Sequence, residues 1–118
     1  AISAAVSSIA RQLNAAAILP LTKSGATAHN VSKFRPATPI LAITSEIEVA
    51  RRLQLVWGVT PILISNQEHT TKTFNLAMEI AKNMGLIKEG EVVVETAGTL
   101  TGVSGSTDLI KVVKVSTK

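Results

Sequence analysis

Ala15-Ala16-Ala17-Ile18-Leu19-Pro20-Leu21-Thr22-Lys23-Ser24-Gly25-Ala26-Thr27 is the stretch on which the fold turns. Residues 15–19 form an unbroken apolar run bounded by a proline, the pattern of a strand buried on both faces. A helical pattern begins at once and continues through residues 26–34. The hydroxyls of Thr22, Ser24 and Thr27, the charge of Lys23 and the bare backbone of Gly25 therefore stand where a strand hands over to a helix. Backbone N–H groups point outward unpaired at such a place, and the helix dipole favours an anion there. The chemistry is that of a phosphate seat. The plainer reading is a helix N-cap in which Ser24 or Thr22 bonds the first-turn amides.

Working outward, Ile2, Val6, Ile9 and Leu13 recur at helical spacing, which predicts an amphipathic helix over residues 2–13. The helix opened by Ser24 or Gly25 must stop before Arg35-Pro36, because a residue preceding proline leaves the α region. Residues 40–44 read as a second strand. Ser45 and Glu48 have capping-box spacing for a helix over residues 46–55. Residues 59–64 read as a third strand, and Pro61 places it at a sheet edge. Trp57, just before it, is expected to pack as a core residue, with an interface role as the alternative. A fourth helix opens at Thr70 or Thr71, buries Phe74, Ala77, Ala81 and Met84, and is capped by Gly85. A fourth strand over residues 92–96 and a fifth over 109–115 are joined by a loop rich in Gly, Ser and Thr. Lys111 and Lys114 mark the fifth as an edge. Strands alternating with helices give an α/β sheet, largely parallel, with right-handed crossovers. The fifth strand, lacking a crossover helix, must run antiparallel.

Composition narrows the function classes. At 118 residues the expectation is a single domain spanning residues 1–118, and 46% hydrophobic against 17% charged residues rules out a disordered chain. Phe34, Phe74 and Trp57 are the whole aromatic content, so the core is aliphatic. No cysteine is present, which excludes disulfides, thiolate metal sites and cysteine nucleophiles and fits a cytoplasmic protein. No apolar run approaches the roughly 18 residues of a membrane span, and the serine-containing start lacks the basic flank of a signal peptide. The first residue is not methionine, as expected of a processed or excised piece. The net charge of +4 is spread along the chain without a basic stripe or stacking aromatics, so a small anion fits better than nucleic acid. His29 lies within a helix and reads as a surface or packed residue rather than a base. Glu46 and Glu48 serve a cap, Glu89 and Glu91 flank a turn glycine, and Glu95 sits near a strand end. No acid–base pair and no metal-ligand cluster stands out.

A longer pattern carries a resemblance. Thr22-Lys23-Ser24-Gly25-Ala26-Thr27-Ala28 continues as Val31-Ser32-Lys33-Phe34-Arg35-Pro36, then Pro39-Ile40-Leu41-Ala42-Ile43-Thr44, Ala50-Arg51-Arg52-Leu53 and Leu55-Val56-Trp57-Gly58-Val59. The opening Ala1-Ile2-Ser3-Ala4-Ala5-Val6 and the closing Ala97-Gly98, Gly102, Gly105-Ser106-Thr107 and Leu109-Ile110-Lys111-Val112 complete it. In order, and over almost the whole chain, this resembles the C-terminal domain of pyruvate kinase. The resemblance implies a three-layer, five-stranded mixed sheet of order 3-2-1-4-5, the fifth strand antiparallel, with helices on both faces. Ligands of such sheets sit beyond the carboxyl ends of strands at the topological switch point, here between strands one and four. The loops meeting there are residues 22–27 and 97–107.

In the resembled family, sugar-phosphate or nucleotide effectors bind at that place. The implied contacts are Thr22, Lys23, Ser24, Gly25, Ala26 and Thr27 in the first loop, and Gly102, Ser104 and Gly105 in the second. Where members answering to fructose bisphosphate carry a tryptophan and, seven residues on, an arginine, this sequence has His69 and Leu76. His69 could still stack or donate a hydrogen bond, whereas Leu76 cannot hold a second phosphate, so a sugar or nucleotide monophosphate is the expected effector. Asp108 stands where asparagine is common, and its charge opposes an anion if it faces the pocket. Phosphoryl-transfer residues and the magnesium and potassium ligands belong, in the family, to a separate catalytic barrel, so no catalysis and no cofactor is expected of this chain alone. A homo-oligomer in which such domains meet in pairs is implied. A purely structural oligomerisation domain, and a free-standing α/β enzyme acting on a phosphorylated metabolite, are the rival readings.

Overall fold

A computed structural model of the chain describes residues 2–22, 25–34, 37–64, 70–97 and 109–115. The elements in chain order are α1 (Ile2–Gln12), β1 (Ala17–Pro20), α2 (Ala26–Ser32), β2 (Ile40–Thr44), α3 (Ile47–Leu53), β3 (Val59–Leu63), α4 (Thr70–Asn83), β4 (Val92–Ala97) and β5 (Leu109–Lys114). The sheet order is β3-β2-β1-β4-β5, parallel except for the antiparallel β4–β5 pair. The expected architecture is the observed one.

Burial explains the strand patterns. All residues of β1 and β2 are buried, because helices cover both faces. One face of the sheet packs Ile18, Ile40, Ala42 and Val94 beneath Val6 and Ala10 of α1, Ala28 and Val31 of α2, and Val49 and Leu53 of α3. The other packs Leu19, Leu41, Ile43, Ile62 and Val93 beneath Phe74, Ala77, Met78 and Ala81 of α4. Chain direction decides this division. Steps from β1 to β2 to β3 move one way along the sheet, so right-handed crossovers put α2 and α3 on one face. The return from β3 to β4 puts α4 on the other. Pro61 lies in the edge strand β3, paired on one side only, with Ala42 as its partner. The α1 helix closes on Asn14 in the left-handed region, with the Ala15 N–H donating to the Ala10 carbonyl at 2.9 Å. Gly85 ends α4 in the same manner, at φ +77°.

Four local expectations are corrected. The Ser45/Glu48 capping box does not form: Glu46 is the N-cap of α3 with no side-chain cap bond, and its N–H donates instead to the Thr44 hydroxyl at 3.1 Å. The reason is the sheet, which holds Thr44 extended through an Ile64 N–H to Thr44 carbonyl bond and delays the helix to Ile47. Trp57 is 48% exposed rather than core, since Leu53, Val56 and Val59 already fill the space beside β3. Met84 is exposed because it lies one residue beyond α4. The first strand is displaced toward its C-terminal side, to Ala17–Pro20.

Candidate functional site

The exit of β1 is gripped from both neighbours. The Leu21 N–H donates to the Thr96 carbonyl of β4 at 2.8 Å, and the Thr22 N–H donates to the Ile43 carbonyl of β2 at 2.9 Å. A Leu21–Ile43 bridge extends the parallel ladder one step past the strand. Thr22 therefore stands at the carboxyl end of the central strand, beside the ends of β2 and β4, which is the topological switch point.

From there the chain turns into α2 through Gly25. This residue is the N-cap, at φ +89° and ψ −3°, and it makes no side-chain cap bond. Of the two hydroxyls offered by the plainer sequence reading, Ser24 lies outside the described residues and Thr22 is not the N-cap. Thr22 acts one step earlier: its hydroxyl oxygen accepts the Gly25 N–H at 2.8 Å in a buried bond. A Cβ at Gly25 would lie 3.3 Å from Cγ1 of Val49 and 3.4 Å from Cδ2 of Leu53, so the turn is seated against α3. Only a residue without a side chain takes both this φ and this approach.

Thr22, Gly25, Ala26 and Thr27 are thereby brought together, with Thr22 and Thr27 buried. Lys23, Ser24, His69, Gly102, Ser104 and Gly105 lie outside the described residues, as does Asp108. Leu76 is 50% exposed on α4. His29 is exposed on α2 and lines a cleft of about 250 Å³ between α2 and α3 together with Gly25, Arg52 and Val49. Arg52 of α3 thus brings a cation beside the start of α2, which helical spacing alone did not predict.

Two polar residues of β4 were undervalued. Thr96 is fully buried, on the strand face opposite α4, and its hydroxyl has no hydrogen-bond partner among the described residues. Glu95 is buried too, and burial pushes its carboxyl up to about 7, with the Lys111 charge pulling the other way. Their signal was available: a carboxylate and a hydroxyl interrupt an otherwise aliphatic strand at its carboxyl end.

A larger cleft, of about 580 Å³, opens at the opposite pole, between α1 and the chain entering β2, lined by Ser7, Arg11, Asn14, Phe34 and Thr38. The flank of α1 from Ala4 to Arg11 forms one wall of it. Among the described residues no group of three or more His, Asp or Glu could hold a metal ion, and no helix is long and apolar enough to cross a membrane.

The sequence matches the family described as pyruvate kinase, alpha/beta domain, over residues 1–113. It is 59% identical over 112 residues to pyruvate kinase 2 of Synechocystis sp., covering 95% of this chain and 19% of that protein. It is 39% identical over 111 residues to pyruvate kinase of Clostridium acetobutylicum, of which it covers 24%. The fold superposes with a TM-score of 0.87 on a structure of Cryptosporidium parvum pyruvate kinase in complex with ADP, at 30% identity, covering 97% of this chain and 23% of the other. The chain thus spans about a fifth to a quarter of the length of the relatives it matches.

Proposed function

The chain belongs to the pyruvate kinase alpha/beta domain family, and from that membership we propose that it is the regulatory and assembly domain of a cytoplasmic pyruvate kinase. The full protein converts phosphoenolpyruvate and ADP to pyruvate and ATP. Phosphoryl transfer, with its magnesium and potassium ions, resides in a catalytic barrel outside these residues. Residues 1–118 act as one domain that binds a phosphorylated effector and performs no catalysis alone. Effector binding influences the barrel to the extent that the effector favours one conformational state over another.

One observation carries this reading: the β1 exit, tied to Thr96 and Ile43, delivers Thr22 and Gly25 to the start of α2 at the switch point. The anion contacts are assigned to Thr22, Lys23, Ser24, Gly25, Ala26 and Thr27, joined by Gly102, Ser104 and Gly105, with His69 as a further contact. A sugar or nucleotide monophosphate is the effector class. Calorimetric titration with ribose 5-phosphate at fixed ionic strength tests the assignment. Replacing Ser24 and Thr27 together by alanine lowers affinity by about 1–3 kcal/mol, two charge-assisted hydrogen bonds being removed. Unchanged affinity in a double variant with a native circular dichroism spectrum removes the anion from this loop.

A specific feature favours assembly as the domain's other role. The edge strand β5 pairs on one side only, and Val112 on it is 49% exposed. A second copy related by a two-fold axis satisfies the free backbone row and covers that side chain.

A further inference from the structure

Glu95 is 3% exposed toward the carboxyl end of β4, an ionisable group for which effector binding has no use. Strand alternation puts it on the face of Val93 and Ala97, beneath α4. Its register partners are Leu19 of β1 and Lys111 of β5. Among the described residues, the same face of the sheet carries Ala17 and Leu19 of β1 and is covered by Phe74, Ala77, Met78 and Ala81 of α4, where Thr73 is buried too. The charged residues of α4 are Lys72 and Glu79, both exposed, and Lys82, half-buried in its last turn. On β5, Leu109 and Val113 flank Lys111, which is the charge acting on the carboxyl. A carboxylate so enclosed gains most from water, and the elements around it differ in how readily they admit it. β1 is hydrogen-bonded on both sides and wholly buried. β5 has a single neighbour, and Lys111, Val112 and Lys114 are already exposed.

We propose that Glu95 is a proton-operated latch on the edge strand: protonated, it lets β5 seat against β4, and ionised, it loosens β5 so that water reaches the carboxylate. The burial that lifts this group to about 7 places the transition at neutral pH. Lys111 limits the opening by partly compensating the charge. Residues 98–108 join the two strands, so loosening β5 also weakens anion binding there; that consequence rests on the effector reading, whereas the latch does not.

Hydrogen exchange of the β5 amides, corrected for the intrinsic effect of pH, tests the latch. Protection in the unaltered chain falls about tenfold between pH 6 and 8, given an ordinary carboxyl value in the open state. In Glu95→Gln the fall disappears, and in Lys111→Met it moves to higher pH. The amides of β3, the other edge, serve as the internal reference and keep their protection. An equal fall at β3, a fall that persists in Glu95→Gln, or protection at β5 that does not change with pH overturns the latch. A carbon-13 titration of the Glu95 carboxyl gives an independent answer if the glutamine variant folds poorly: a midpoint near 4.5 overturns it as well. Sulfate, which keeps its charge across this range, probes the consequence. Sulfate affinity that ignores pH while β5 exchange follows it counts against the effector reading and leaves the latch standing.

Discussion

Gly25→Ala tests the geometry at the centre of the candidate site. At φ +89° an L-residue meets its own backbone, a cost of about 1–2 kcal/mol. The new Cβ would also sit 3.3 Å from Val49 Cγ1, tighter than ordinary contact, and 3.4 Å from Leu53 Cδ2, so the Val49 side chain must yield by a few tenths of an ångström. The usual benefit of Gly→Ala, a less flexible unfolded chain, is about 0.4–1 kcal/mol and offsets only part of this. The net expectation is a loss of about 1–2 kcal/mol. Urea denaturation reads it directly: with a slope of about 1–3 kcal/mol/M the midpoint falls by roughly 1 M, at unchanged slope. Gly85→Ala is the matched control. Gly85 has φ +77° with nothing within 4 Å of an added Cβ, so that variant carries the backbone cost without the contact. Stability equal to the unaltered chain would refute the left-handed N-cap. Equal losses in the two variants would refute the seat against α3.

Glu95→Gln should change the pH dependence of stability. A carboxyl raised from 4.5 to about 7 contributes stability fully below about pH 4.5 and loses it as pH rises to about 7, a span worth about 3 kcal/mol. Denaturant midpoints for the glutamine variant should therefore gain on the unaltered chain between pH 4.5 and 7, and a constant difference would contradict the burial argument. Ribose 5-phosphate should bind more tightly than fructose 1,6-bisphosphate at matched ionic strength, because Leu76 offers no cation for a second phosphate. Tighter bisphosphate binding would assign that role to another residue. Sedimentation equilibrium should show concentration-dependent self-association that Val112→Lys abolishes. A monomer at every concentration, or a dimer indifferent to the lysine, would take the contact away from β5.

Much of the fold was legible in the chain because burial writes itself into composition. Residues 40–44 carry no polar position before Thr44, and β2 occupies Ile40–Thr44. Pro61, which cannot donate to a ladder, marked β3 as an edge, and a loop without a crossover helix required β5 to run antiparallel. Of the site, the strand-to-helix handover and the need for Gly25 could be read locally, since both follow from the first few residues on either side.

What the linear pattern did not contain was competition between distant partners. The predicted capping box gave way because the β2–β3 ladder holds Thr44 extended, which moves the N-cap to Glu46, its N–H donating to the Thr44 hydroxyl. Trp57 stayed half-exposed because Leu53, Val56 and Val59 had filled the space first. Glu95 looked like a strand-end carboxylate and proved to be enclosed, because α4 and β1 close over it from parts of the chain many residues away. Local spacing sets which conformation each segment prefers. Which groups lose their water depends on what the fold stacks against them, and that was decided only when the layers met.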